Sequence, residues 1–63
     1  MCLSAVYEVR DGAEKLLCEH ATAISVDGSA ITLTDIMGEE IVISGFLRSI
    51  DLVGNTIKIE ASA

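Results

Sequence analysis

Short runs of alternating apolar and polar residues, broken at close intervals by turn-forming dipeptides, run through this chain. Thr56 to Ala61 alternates most cleanly, with Ile57, Ile59 and Ala61 on one face and Thr56, Lys58 and Glu60 on the other. Ala30 to Ile36 sets Ile31 and Leu33 against Thr32 and Thr34. Cys2 to Val9 places Leu3, Ala5, Tyr7 and Val9 on one side, and Cys2, Ser4, Val6 and Glu8 on the other. A side-chain period of two is that of a half-buried strand. Asp11-Gly12, Asp27-Gly28, Met37-Gly38 and Gly54-Asn55 separate the runs, and Gly54-Asn55 predicts a two-residue hairpin.

Two stretches depart from simple alternation. From Glu40 to Val53 the parity changes: Ile41 and Ile43 share a face, whereas Phe46, Ile50 and Leu52 occupy even positions. A one-residue slip turns every later side chain to the other face. Ser44-Gly45 lies at the break, so a bulge or sharp bend is expected there. From Ala13 to Ile24, Ala13, Leu16, Leu17, Ala21 and Ile24 also fit a helical stripe. The upstream Asp11-Gly12 turn favours instead two short strands, Leu16 to Glu19 and Thr22 to Val26, because a lone helix of this length is marginal without packing. The expected fold is all-β, a small barrel of five to six short strands.

Size changes that picture in one respect. Sixty-three residues make one domain, and a chain this short buries only about 60% of the surface its unfolded form exposes. The composition is 51% hydrophobic with only two aromatics, Tyr7 and Phe46. So much apolar surface on so small a core predicts an oligomer, with a symmetric homodimer as the default.

Charge narrows the partners. Four Lys or Arg stand against ten Asp or Glu, a net of −6, and the basic residues Arg10, Lys15, Arg48 and Lys58 are scattered. Nucleic acid and anionic membrane surfaces are bound through clustered cations and are poor partners for this chain. Glu8, Arg10, Asp11, Glu14, Lys15 and Glu19 interrupt the first twenty residues, leaving no apolar run for a signal peptide. No stretch approaches the roughly 20 apolar residues of a membrane span. The expected location is the cytoplasm, where stable disulfides are rare.

Most catalytic constellations are missing, and the chain is not expected to be an enzyme. It contains no CxxC, HExxH, GxSxG or Gly-rich phosphate loop, and one His with two Cys cannot complete a four-ligand zinc site in one chain. A Cys2–His20 catalytic pair would lack an orienting group. Cys18, opposite Ala5 if Asp11-Gly12 is a two-residue turn, reads as a small core hydrophobe. In that register it lies too far along the sheet for a disulfide with Cys2. His20 reads as a surface or edge imidazole, and Glu39-Glu40 beside Asp35 as a solvated loop face, the second reading being an acidic rim that draws in cations or a basic partner surface.

Cys2 is the residue with chemistry to offer. Its thiolate, with the terminal amine or the adjacent amide nitrogen, supplies nitrogen and sulfur donors, short of a full ligand set. A two-fold axis beside the terminus would bring a second copy and complete an S₂N₂ site, suited to Ni(II) or Cu(II), with Zn(II) and Cu(I) also drawn to thiolates.

The ordered pattern MCLSAVYEV, DIMGEEIVISG from Asp35 to Gly45, and RSIDLVGNTIKIE from Arg48 to Glu60 resembles the CooT family over nearly the whole chain. That resemblance implies an SH3-like β-barrel, a homodimer, and Ni(II) held through Cys2 at the dimer interface. It also implies a metallochaperone role in maturation of carbon monoxide dehydrogenase, with a nickel enzyme or its maturation factors as recipients. Only Cys2 carries over as a site residue. Many members carry Asn-His where this chain has Gly54-Asn55, so any metal ligation by that imidazole is missing here. The HypC-type hydrogenase maturation chaperones also begin Met-Cys-Leu, but the match ends after three residues. The competing expectation is a small β-barrel interaction module without metal function, because one such fold hosts many functions.

Overall fold

The computed structural model describes residues 3–62, all of whose regular structure is β. Five strands follow in order: β1 (Ser4–Arg10), β2 (Ala13–Asp27), β3 (Ala30–Asp35), β4 (Glu40–Asp51) and β5 (Thr56–Ala61). Each pairs antiparallel with the next, and β5 returns to lie parallel to β1, closing the sheet into a barrel. The all-β expectation holds, at five strands. Closure leaves no free sheet edge, the common liability of small β-proteins.

Asp11-Gly12 is a two-residue turn with both residues at positive φ (52° and 79°), the backbone a tight hairpin demands. It sets Arg10 opposite Ala13 and so starts β2 as a strand. Ala13 to Ile24 is neither a helix nor two strands: β2 is one continuous 15-residue strand. It can serve two neighbours because it is irregular. The register slips twice against β1, at Ser4/Val6 and Val6/Tyr7, and once against β3, at Ala21/Ala23. Each slip inserts an extra residue on β2, which bends the strand and increases its twist. The last of these, Thr22, aims its hydroxyl at the backbone oxygens of Thr34 and Asp35 (3.2 and 3.4 Å).

The parity break in Glu40 to Val53 resolves into two features. At Ser44-Gly45, β4 leaves β3 and turns onto β5: Ala30 pairs with Ser44, whereas Gly45 pairs with Ala61. The Ser62 amide donates to the Ser44 carbonyl across this corner (3.1 Å). The bulge itself lies at Arg48, between Leu47 and Ser49, and not at Ser44-Gly45. Leu47 therefore pairs with Ile59, and Ile50 with Ile57. Phe46 and Ile50 do not share a face.

The core is Val6, Cys18, Ala21, Ile31, Leu33, Ile57 and Ile59, with Leu17, Ile24 and Ile43 packed at its margin. The alternation expected for Ile31/Leu33 and Ile57/Ile59 is the one observed. In β1 the expected faces are corrected. Val6 is fully buried, and it pairs with Cys18 on one side and Ile57 on the other, both core residues. The slips in β2 place Cys18 opposite Val6 and not Ala5. Val9 is also buried but lies outside that cluster, three residues on and hence facing outward. Lys58 of β5 and Glu14 of β2 meet across β1 at 2.7 Å on this face.

Candidate functional site

The Cys2 prediction falls outside the described residues. The framework immediately after it is well defined. Ser4 opens β1 opposite Ala21, and the Ala5 amide donates to the Asn55 carbonyl (2.9 Å). The start of β1 is thus tied to the turn between β4 and β5. That turn spans four residues, Leu52 to Asn55, rather than the two expected at Gly54-Asn55. One Asp51 carboxylate oxygen accepts from the Val53 and Gly54 amides (3.0 and 2.9 Å), and the Thr56 hydroxyl donates to the Gly54 carbonyl (3.1 Å). Asp51 thereby fixes a side-chain turn that a two-residue loop would not need.

What this turn presents is apolar. Leu52 and Val53 are 83% and 96% exposed. Leu47 and Ile50, whose register with Ile59 and Ile57 directs them to the core side of β4, remain substantially exposed. Apolar side chains of β4 and its following turn are thus left uncovered, beside the residues that follow Cys2.

The second sequence candidate, Cys18, is a buried free thiol, in agreement with a packing role. His20 is exposed and stands 3.7 Å from the Glu19 carboxylate. Both line a cleft of about 290 Å³ together with Leu17, Glu19, Asp35, Ile36, Met37 and Ile41. The Ile36 amide donates to the His20 carbonyl (3.0 Å), joining the β3–β4 turn to β2. The Asp35 carboxylate accepts from the Met37 and Glu39 amides (both 2.9 Å) and so holds its own turn. Glu39 and Glu40 are exposed, as expected of a solvated loop. Among the described residues no group of three or more His, Cys, Asp or Glu is placed to hold a metal ion. The cleft escaped sequence reasoning, although the apolar pair Ile36-Met37 before a turn glycine is an audible signal for it.

The model of the family described as CO dehydrogenase accessory protein CooT matches residues 1–60. This chain belongs to the CooT family. The match begins at the first residue and takes in Cys2. CooT proteins are accessory proteins and not enzymes, in line with the missing catalytic constellations. A Carboxydothermus hydrogenoformans protein described as a CooT has a crystal structure with the same fold, at a TM-score of 0.87 and 22% identity. The match covers 98% of this chain and 100% of that one. No curated protein matches. Among the described residues no helix is long and apolar enough to cross a membrane.

Proposed function

We propose that this CooT protein is a cytoplasmic nickel carrier for assembly of the carbon monoxide dehydrogenase metal centre, and that Ni(II) is its cargo. Two copies share one nickel ion through their Cys2 thiolates and neighbouring amino-terminal nitrogens. The observation that carries this reading is the family match through Cys2, combined with the burial of Cys18: the second of the chain's two thiols is committed to the core. The chemistry of the donor set fits, since thiolate and nitrogen together suit square-planar Ni(II).

Dimerisation is supported by the uncovered apolar residues of β4 and the turn after it. Leu47, Ile50, Leu52 and Val53 stay exposed although two of them face the core side. Full burial of one such side chain is worth roughly 1.5–3 kcal/mol, so four on each of two copies reach the scale of the roughly 4–15 kcal/mol cost of association. The hydrogen bond from Ala5 to Asn55 ties this surface to the start of β1, so pairing through it would bring two amino termini to one axis.

Equilibrium nickel titration under reducing conditions, followed by thiolate-to-metal absorbance, tests the assignment. Binding should be lost in Cys2→Ser and kept in Cys18→Ser. Nickel binding retained by Cys2→Ser would refute it.

A further inference from the structure

The cleft between β2 and the β3–β4 turn is used neither by the proposed nickel site nor by the exposed apolar residues of β4 and its following turn, and its chemistry defines an occupant. Its apolar lining is Leu17, Ile36, Met37 and Ile41, with Ile36 and Met37 59% and 82% exposed. A turn tip of this kind gains by being covered.

Charge says by what. Of the ten acidic residues, Glu8, Glu14 and Glu60 are paired with Arg10, Lys58 and Arg48. Seven carry no such partner among the described residues: Asp11, Glu19, Asp27, Asp35, Glu39, Glu40 and Asp51. Four of these, Glu19, Asp35, Glu39 and Glu40, stand in or beside this one cleft, and no Lys or Arg lines it. A second copy would bring the same carboxylates face to face, and like charges across an interface are strongly disfavoured. The complementary ligand is basic around an apolar anchor.

We propose that this cleft docks a basic segment of a partner protein, with one aliphatic or aromatic side chain seated between Leu17, Met37 and Ile41 and flanking Lys or Arg set against Glu19, Glu39 and Glu40. Asp35 shapes the turn. The surface does not depend on nickel, so a metal-free protein should bind equally well, and failure of the nickel assignment would leave it standing.

The test is a titration of the isotope-labelled full-length chain, followed by amide chemical shifts. The probe is an end-capped peptide of sequence Lys-Arg-Lys-Leu-Phe-Lys-Arg-Lys, with octalysine and a charge-reversed Glu version as controls. Shift changes should map to 17–20 and 35–41, and affinity should fall with added salt. The Glu19→Gln/Glu39→Gln/Glu40→Gln variant should bind about tenfold more weakly, and Met37→Ser about fivefold more weakly; neither touches the core, so both should keep the wild-type spectrum elsewhere. No binding, shift changes centred on the β4–β5 turn, or equal binding of octalysine would each overturn the proposal.

Discussion

At the scale of single residues, Gly45 carries the largest burden. It stands where β4 passes from β3 to β5, and a Cβ there would collide with the Glu60 backbone oxygen and lie 3.2 Å from Ile59 Cγ2. Backbone atoms in a closed sheet have little room to move, so Gly45→Ala should cost about 2 kcal/mol or more, read as a lowered urea midpoint. Asp51→Ala should cost less, about 1 kcal/mol, because it removes one acceptor that serves two exposed turn amides. A Gly45→Ala protein as stable as wild type would show that the strand transfer tolerates a side chain. The sequence made Gly45 conspicuous through the parity change around it. It did not reveal that a backbone contact, and not a bulge, is what demands glycine, because that contact comes from a strand fifteen residues away.

At the scale of elements, β3 and β5 were legible to the residue in their facing, since each is short, regular and bounded by clear turns. The longer strands were not. β2 has a pattern that fits a helix as well as a strand, and its irregularities place Val6, Cys18 and Ala21 together only through pairing with β1. Alternation within β1 alone put Val6 with Ser4 and Glu8 on a polar-leaning face. Val6 has a core partner on each side, and tertiary pairing outweighs the local pattern. The turn after β4 was misjudged for a related reason: Gly54-Asn55 signals a tight hairpin, yet Asp51 binds two amides and enlarges the loop to four residues. That enlargement projects Leu52 and Val53. Converting both to Asp should give a monomer by sedimentation equilibrium with an unchanged β spectrum, because neither side chain enters the core. A dimer surviving those two charges would place the interface elsewhere.

At the scale of the whole molecule, the closed sheet encloses a small core and leaves Leu47, Ile50, Leu52 and Val53 exposed. Composition predicts apolar surface to hide and little affinity for polyanions in a greasy 63-residue chain with a net charge of −6. Which apolar residues stay exposed was not readable, since the facing of Leu47 and Ile50 depends on the Arg48 bulge, which shows only in the pairing with β5. The packing role of Cys18 was legible: it was assigned to the core from sequence and is buried there. The chemistry proposed for Cys2 rests on membership in the CooT family, whose match takes in that residue. Native mass spectrometry of the protein with added Ni(II) tests most directly the proposed sharing of one metal by two chains. The expected result is one nickel per two chains, lost together with the dimer when Leu52 and Val53 become Asp. One nickel on each single chain, or nickel kept by the monomeric variant, would contradict it.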